Sequence, residues 1–304
     1  MKIVILDGAT ITQNDLSWKA LSEMGELEVH GRTPQDQVTS VIGDAPVAFL
    51  SKCKMTAEVM DACPDLKFIG MLATGYDNVD LDAARERGIA VCNIPAYSTD
   101  AVAQHTFALL LEITNAVGLH NEAVQTGEWS RSADFCMVKH PIMQLSGKSL
   151  GIIGYGNIGR KVGAIAEAFG MKVNVYSRNA EAAVASDIVT LHCPATTGNA
   201  GFVNKEFIAK MKDGAILLNT ARGALINEAD LAEALRSGKL AAAGIDVVNG
   251  EPPQSDNPLF GVPNLFITPH IAWASREARQ TICDVSAENL KSYLEGGTLN
   301  RVDL

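Results

Sequence analysis

Residues 148–178 constrain the fold of this chain more than any other stretch. An apolar run at 150–153 leads into a glycine-rich turn, and a segment with helical spacing of apolar residues follows until Gly170. A second apolar run lies at 173–176. Strand, glycine loop, helix and strand therefore occupy about 30 residues, an order that predicts the first half of a doubly wound α/β sheet.

Each glycine of the turn has a physical role. The first permits a tight turn out of the strand, the second lets a pyrophosphate approach the backbone, and the third lets the helix pack closely on the sheet. The N-terminus of the helix offers free N–H groups and partial positive charge to phosphates. Because a strand and a helix flank the turn, we expect a dinucleotide site rather than an ordinary turn. Its residues are Gly154, Tyr155, Gly156, Asn157, Ile158 and Gly159.

The end of the second strand bears on the choice of cofactor. A site for NAD normally places Asp or Glu here, to accept hydrogen bonds from the ribose 2′-OH. This chain has Ser177, Arg178 and Asn179 instead. The Arg178 guanidinium is suited to pair with a 2′-phosphate, so we expect NADP(H) to be favoured over NAD(H). The alternative is a solvated surface arginine beside an NAD site.

Composition excludes several classes of function. A chain of 304 residues with 47% hydrophobic and 20% charged residues predicts about two soluble globular domains. The net charge of −10 argues against a nucleic-acid surface, and no apolar run is long enough to cross a membrane. The N-terminal apolar run is too short for a signal peptide and predicts a strand.

Cysteine and histidine usage point to a cytoplasmic protein without a bound metal. None of the six cysteines forms a CxxC pair, so we interpret them as reduced thiols. None of the six histidines has the spacing of a metal-binding motif.

Strand and helix patterns alternate along the whole chain, which predicts parallel sheets with helices on both faces. Outside 148–178, strands are predicted at 2–6, 27–30, 47–50, 68–72, 90–93, 188–192, 215–219, 242–247 and 265–268. Helices are predicted at 16–24, 33–42, 56–62, 81–87, 98–114, 204–211, 228–237 and 275–295. Residues 115–145 show no clear period and form either a subunit-contact arm or a surface loop.

Three polar residues follow predicted strands in the nucleotide-binding half: Arg222, Glu251 and His270. The carboxyl ends of parallel strands converge on one crevice, so we expect them to lie together. His270 can donate a proton to a keto oxygen, and Glu251 can orient its ring and stabilise the charged form. Arg222 can hold a carboxylate and polarise a carbonyl. This set suits the reduction of a 2-keto acid.

Two further residues that follow predicted strands have two possible roles each. Asp246 is predicted to bind the nicotinamide carboxamide, or else to cap a helix or loop. In the loop after strand 68–72, Gly75 is predicted either to present N–H groups to a small anion or simply to form a turn.

These motifs resemble the D-isomer-specific 2-hydroxyacid dehydrogenase family over nearly the whole chain. The resemblance rests on GYGNIG at 154–159, NTARG at 219–223, DVVNGEPP at 246–253 and TPHIAWAS at 268–275. It implies that Arg222, Glu251 and His270 are catalytic and that Lys52, Thr74, Gly75 and Arg222 bind substrate. The implied cofactor contacts add Ser177, Arg178, Cys193, Pro194, Thr220, Ala221, Arg222, Asp246 and His270 to the glycine loop.

The resemblance also implies the architecture, a Rossmann nucleotide domain inserted in a flavodoxin-like catalytic domain. We expect the substrate domain at 1–97 and 286–304, the nucleotide domain at 98–285, and a homodimer. Within the family the chain is most similar to hydroxypyruvate reductases, also called glycerate dehydrogenases, on 72–80, 93–112 and 128–135. The alternatives are a D-lactate or branched 2-keto-acid dehydrogenase, or an NAD(H)-sensing corepressor-like binding protein.

One departure from the family lies between Tyr176 and Ile188, where only 11 residues intervene. Family members usually have a longer excursion there, with another strand and a short helix beside the adenosine ribose. Either this protein has a deletion, or this sequence omits residues that the full protein has.

Overall fold

The computed structural model describes residues 1–304 and divides into two compact units. Unit 1 comprises Met1–Ser98 and Ala274–Leu304, and unit 2 comprises Thr99–Trp273. The chain therefore inserts unit 2 into unit 1. The return to unit 1 comes earlier than the predicted boundary at 285/286, which would cut through the C-terminal helix Arg276–Leu294 (α11).

Unit 1 contains a five-stranded parallel sheet in the order β2-β1-β3-β4-β5, the flavodoxin-like order. Its strands are β1 (Lys2–Ile5), β2 (Glu26–Val29), β3 (Val47–Leu50), β4 (Phe68–Met71) and β5 (Ala90–Cys92). Besides α11, its helices are α1 (Lys19–Ser22), α2 (Val38–Ile42), α3 (Ala57–Asp61) and α4 (Leu81–Glu86). Every residue of β3, β4 and β5 is buried, which explains their unbroken apolar sequences.

Two helices of unit 1 are shorter than the sequence predicts. The predicted helix at 16–24 is reduced to α1, because side chains ahead of it bond to nearby backbone groups. The Thr12 hydroxyl accepts from the Asn14 N–H and the Ser17 hydroxyl from the Lys19 N–H, both at 3.1 Å. The predicted helix at 33–42 begins only after Pro34, as a 3₁₀ turn that leads into α2.

Unit 2 contains a six-stranded parallel sheet in the order β11-β10-β9-β8-β6-β7. The strands are β6 (Ser149–Ile153), β7 (Lys172–Val175), β8 (Ile188–Leu191), β9 (Ala215–Asn219), β10 (Leu240–Ile245) and β11 (Leu265–Ile267). The helices are α5 (Thr99–Asn115), α6 (Val117–Gln125), α7 (Asn157–Ala168), α8 (Ala180–Val184), α9 (Lys205–Lys210) and α10 (Glu228–Arg236). Two apolar cores result, one containing residues of α5 and α7 and the other residues of α9 and α10.

The short connection after β7 has a visible consequence for the sheet. The common Rossmann order places a third strand outside the second, whereas here β7 itself is the edge strand. The connection instead forms α8, which the sequence analysis missed. The Asn179 side chain caps α8, and a Cβ on Gly151 of β6 would lie 1.9 Å from the Ala183 carbonyl oxygen. Helix α8 therefore packs tightly against β6, the strand next to the edge.

Residues 115–145, whose sequence shows no clear helical or strand period, contain α6 and a short 3₁₀ turn at Trp129–Arg131. Several of their large apolar side chains are exposed, and Phe135 is 90% exposed. None of the helices is both long and apolar enough to span a bilayer. All six cysteines are free thiols.

Candidate active site

The glycine loop in unit 2 has the geometry of a phosphate cradle. Gly154 has φ +95°, and a Cβ there would lie 2.4 Å from the Cys193 nitrogen. A Cβ on Gly159 would lie 2.1 Å from the Gly154 oxygen, so neither position accepts a side chain. A Cβ on Gly156 would meet nothing within 4 Å, which leaves room for a ligand against the backbone. No side chain caps the N-terminus of α7, so its first N–H groups can bind an anion.

Arg178 lies beside this loop. Its guanidinium carbon is 5.3 Å from the centroid of the Tyr155 ring, within the range of a cation–π contact. The turn after β7 is closed by the Arg178 N–H, which donates to the Val175 carbonyl at 3.0 Å. Asn179 is occupied as the cap of α8 and offers no carboxylate. A cation and an aromatic ring therefore lie together at the glycine loop.

Cys193 and Pro194 follow β8 on the other side of the glycine loop. The backbone there is fixed by the His192 N–H, which donates to the Ile153 carbonyl at 2.7 Å. Burial raises the pKa of the Cys193 thiol, so this side chain is neutral near pH 7 and adds no charge to the cradle.

Arg222 is exposed at the end of a tightly held turn after β9. The fully buried Asn219 organises this turn, because its Oδ1 accepts from the Ala221 N–H at 3.0 Å and its Nδ2 donates to the Arg222 carbonyl at 2.9 Å. A Cβ on Gly223 would lie 2.0 Å from the Val248 carbonyl carbon. The arginine turn is thus packed directly against the segment that leads to Glu251.

His270 and Glu251 form a direct pair, with the His270 Nδ1 2.5 Å from the Glu251 Oε2. The other carboxylate oxygen of Glu251 accepts from the Val248 N–H at 3.1 Å. Because a carboxylate can only accept, the histidine Nδ1 carries a proton. The Nε2 of His270 is therefore the ring nitrogen that can exchange a proton with a substrate. The sequence predicted that Glu251 and His270 lie together, and their acid–base roles stay a prediction.

The backbone of His270 is held in the left-handed region, with φ +55°. Such a conformation costs a non-glycine residue about 1–3 kcal/mol and needs support from its surroundings. The support comes from both sides: the His270 N–H donates to the Asp246 carbonyl at 2.8 Å, and its carbonyl accepts from the Trp273 indole at 2.9 Å.

Asp246 anchors the loop that carries His270. Its side chain, 1% exposed, accepts from the Thr268 hydroxyl at 2.6 Å, from the Ile271 N–H at 2.9 Å and from the Ala272 N–H at 2.8 Å. These contacts match the loop-capping alternative from the sequence, while a contact with a nicotinamide carboxamide stays a prediction.

In unit 1, Lys52 lies on a loop that a buried carboxylate holds in place. Asp7 accepts from three successive N–H groups, those of Ser51, Lys52 and Cys53, at 2.7, 2.5 and 3.3 Å. The Asn78 amide donates to the Ser51 and Cys53 carbonyls at 3.3 and 2.7 Å. The loop N–H groups are therefore occupied, so Lys52 can offer a ligand its exposed side chain.

Thr74 and Gly75 lie on the neighbouring loop of unit 1, after β4. The Thr74 hydroxyl donates to the Ile94 carbonyl at 2.6 Å, and the Thr74 carbonyl accepts from the Asn93 amide at 2.8 Å. The Gly75 N–H donates to no backbone carbonyl. Both alternatives from the sequence, an anion contact or a simple turn, therefore stay open for Gly75.

Comparison with known proteins shows the family of this chain. Residues 107–272 match the model of the D-isomer specific 2-hydroxyacid dehydrogenase, NAD binding domain. The chain belongs to this family. A hydroxypyruvate reductase of Blautia hydrogenotrophica is 47% identical over 321 aligned positions that cover both chains completely. Since this chain has 304 residues, at least 17 of those positions have no counterpart in it.

Two solved structures share the fold of this family member. The TT0316 protein of Thermus thermophilus matches with a TM-score of 0.88 and 37% identity, over 99% of this chain and 100% of that one. An NADPH-dependent glyoxylate/hydroxypyruvate reductase of Sinorhizobium meliloti, in complex with NADP and malonate, matches with a TM-score of 0.82 and 28% identity, over 99% and 96%.

The structure also identifies residues that sequence reasoning missed. Asp7 and Asn78 fix the Lys52 loop, while Glu228 holds the Glu251 loop by accepting from the Asn249 N–H at 2.6 Å and the Asn257 amide at 2.9 Å. The only signal for Asp7 was a carboxylate directly after an apolar strand. No group of histidine, cysteine and carboxylate side chains is arranged to bind a metal ion.

Proposed function

We propose that this protein reduces small 2-keto acids, hydroxypyruvate and glyoxylate first, to D-2-hydroxy acids with NAD(P)H. The observation that carries the proposal is the Glu251–His270 pair, in which Nδ1 contacts the carboxylate and Nε2 is left to act as an acid. The family membership supports the reaction type, and the named activity of the Blautia relative supports the substrate class.

The chain's own residues divide the chemical task. The residues of the glycine loop would hold a nicotinamide dinucleotide, which would supply the hydride for C2 of the keto acid. His270 donates its Nε2 proton to the keto oxygen, which yields the hydroxyl, and regains a proton from solvent. Glu251 keeps the ring oriented through Nδ1. Arg222 polarises the carbonyl and stabilises the negative charge that develops on its oxygen.

In unit 2, we propose that the Arg222 guanidinium binds the substrate carboxylate. In unit 1, we propose that the Lys52 ammonium and the Gly75 N–H recognise an anionic substrate, and Thr74 holds the loop that presents this N–H, because its hydroxyl and its carbonyl are both bonded. Cationic groups suit a small anion far better than a neutral aldehyde or ketone. The expected substrates are therefore short keto acids rather than uncharged carbonyl compounds.

We propose that NADP(H) is favoured over NAD(H) through Arg178. Its position over the Tyr155 ring and the absence of a carboxylate at the end of β7 support this preference. Arg178→Asp is expected to shift the ratio of kcat/KM values for NADPH and NADH about tenfold or more toward NADH. Arg236→Asp, which changes an exposed arginine on α10, serves as the control. An unchanged ratio in Arg178→Asp refutes the phosphate contact.

We further propose that the protein is a homodimer that buries the exposed apolar side chains of residues 117–142. Val117, Phe135 and Val138 are 62%, 90% and 65% exposed, and burying such side chains is a main driving force for association. Light scattering of the wild type should give twice the chain mass. The measured mass should fall toward that of one chain in Phe135→Glu but not in Phe260→Glu. A monomeric wild type overturns the proposal.

The test of the reaction is direct. Purified protein is mixed with NADPH or NADH and a panel of hydroxypyruvate, glyoxylate, pyruvate and a branched 2-keto acid, and cofactor oxidation is followed by absorbance. Fastest turnover with hydroxypyruvate or glyoxylate supports the proposal. Tight cofactor binding without turnover of any keto acid overturns it in favour of a nucleotide-sensing role.

A further inference from the structure

Two adjacent polar residues interrupt the apolar face of α5. His105 and Thr106 lie on a helix whose neighbouring residues Val102, Phe107, Leu109 and Leu110 are buried in the core. The Thr106 side chain is itself buried, at 1% exposure, and the His105 side chain is 20% exposed. Buried polar groups of this kind need hydrogen-bond partners, and the partners here lie on two catalytic loops.

Thr106 contacts the loop that carries Arg222. The Thr106 hydroxyl donates to the Val102 carbonyl at 2.8 Å, so its single proton is already used. The Thr220 hydroxyl, 3.0 Å away, must therefore donate to the Thr106 oxygen. Thr220 is 7% exposed and lies two residues before Arg222. One buried bond thus ties α5 to the arginine turn.

His105 contacts the loop that carries His270. The Thr268 hydroxyl lies 2.6 Å from the Asp246 carboxylate and must donate to it, because a carboxylate only accepts. The Thr268 oxygen then accepts from the His105 Nε2–H, which is 2.9 Å away. Thr268 lies two residues before His270. A chain of directed hydrogen bonds therefore runs from α5 through Thr268 to the buried carboxylate.

Helix α5 is a rigid reference for both loops. It packs closely on the sheet, since a Cβ on Gly244 of β10 would meet the Leu109 and Ile113 side chains at 3.1 Å. The two loops leave β9 and β11, with β10 between them, so no shared turn fixes their spacing. Neighbouring side chains of one helix contact both loops instead.

We infer that His105 and Thr106 are positioning residues that set Arg222 and His270 relative to each other. This inference rests on the proposed function, in which Arg222 binds the substrate carboxylate and His270 delivers the proton. The two contacts then have different kinetic consequences. Losing the Thr106 bond displaces Arg222, which both binds the substrate carboxylate and stabilises charge in the transition state, so KM and kcat should both change. Losing the Thr268 bonds displaces His270, whose contribution comes in the transition state, so only kcat should change.

The test compares KM and kcat of single variants with those of wild type. Thr106→Val is expected to raise the KM for hydroxypyruvate about tenfold and to lower kcat as well, because Arg222 also stabilises the charge that develops on the keto oxygen. Thr268→Val is expected to lower kcat about tenfold with little change in KM. His105→Gln keeps an N–H donor and should retain most of kcat, while His105→Leu should not.

Thr114 provides a matched control on the same helix. It is also buried, and its hydroxyl donates to the Leu110 carbonyl at 2.9 Å, yet it contacts neither catalytic loop. Thr114→Val should leave both kinetic constants unchanged. Thr106→Ser keeps the hydroxyl and should restore the KM, which also separates positioning from general damage to the fold. If Thr106→Val behaves like Thr114→Val, or if Thr106→Ser fails to restore KM, the inference is wrong.

Failure of the proposed function has a different signature. If wild type reduces no 2-keto acid, the proposed function fails, and the inference is judged on the histidine side-chain NMR signals of the cofactor-bound protein. The His270 signals, assigned by their loss in His270→Gln, should move in Thr268→Val and stay in place in Thr114→Val. Unmoved His270 signals in Thr268→Val overturn the inference without reference to activity.

Discussion

Replacing Asp246 by Asn tests whether this buried carboxylate anchors the catalytic histidine loop. The carboxylate accepts three hydrogen bonds from the segment around His270, and it is 1% exposed. An asparagine can keep its oxygen toward Thr268 and Ile271, which places its NH₂ group against the Ala272 N–H. One bond to a charged acceptor is then lost, and a buried N–H is left without an acceptor.

The expected cost follows from those contacts. A hydrogen bond to a charged group contributes about 1.5–3 kcal/mol, and an unsatisfied buried donor costs about 1–3 kcal/mol. Since both describe the same Ala272 N–H, they are not added, and the free energy of unfolding of unit 2 should fall by about 2–3 kcal/mol. The His270 loop loosens as well, so kcat should fall about tenfold or more.

Urea unfolding followed by tryptophan fluorescence, together with steady-state kinetics, measures both effects. Asp213→Asn is the control, because Asp213 is a 90% exposed partner of Lys239 and its loss should change stability by less than about 0.5 kcal/mol. An Asp246→Asn protein as stable as this control, with raised cofactor KM alone, would refute the anchoring role and favour the carboxamide contact.

Three further substitutions test other parts of the structure. Asp7→Asn should raise the KM for the keto acid about tenfold by releasing the Lys52 loop, with NADPH KM unchanged as the internal control; an unaltered keto-acid KM contradicts this. Burial raises the pKa of Asp187, but hydrogen bonds from Lys212 and Ser149 outweigh this effect and lower the pKa from 3.8 to about 2. Asp187 is therefore more acidic in the folded state, and its stabilising contribution of about 2 kcal/mol is present above pH 4 and lost as pH falls toward 2. Unfolding free energies measured between pH 5 and pH 2.5 should show this loss in wild type and not in Asp187→Asn; parallel curves refute it. Gly154→Ala should abolish cofactor binding measured by fluorescence, because φ is +95° and the new Cβ would meet the Cys193 nitrogen at 2.4 Å; normal binding contradicts the cradle geometry.

The sequence predicted the strands of this protein well because their signals are local. The apolar runs at 47–50 and 215–219 match β3 and β9 residue for residue. These runs are buried on both faces, so their composition alone marks them. Strand β10 was placed at 242–247 but spans Leu240–Ile245, because its first residues continue from the Gly238 turn and its pairing to β9 is irregular there.

Short helices were harder to predict than strands. α8 was missed because five residues are too few to show a helical period, and its boundary depends on the Asn179 cap. α6 was missed because its apolar residues are exposed rather than arranged along a buried face. In both cases the helix is specified by local capping or by neighbouring segments rather than by its own pattern.

The acid–base pair could be predicted, whereas the residues that support it could not. Glu251 and His270 each follow a strand, and the topology of parallel sheets brings such positions together. The bonds from Thr106 to Thr220 and from His105 to Thr268 join residues 114 and 163 positions apart, which no local pattern reveals. A polar pair within an apolar helix was the only available sign.

The role of His270 as the proton donor is tested most directly by measuring the reduction of hydroxypyruvate by wild type and by His270→Ala, each saturated with NADPH. We expect measurable turnover in wild type and a kcat lower by about 10²–10⁴ in the variant, with the Kd for NADPH unchanged. Comparable turnover in the two proteins would contradict the assignment of His270 as the proton donor, and no turnover in wild type with any 2-keto acid would contradict the proposed function itself.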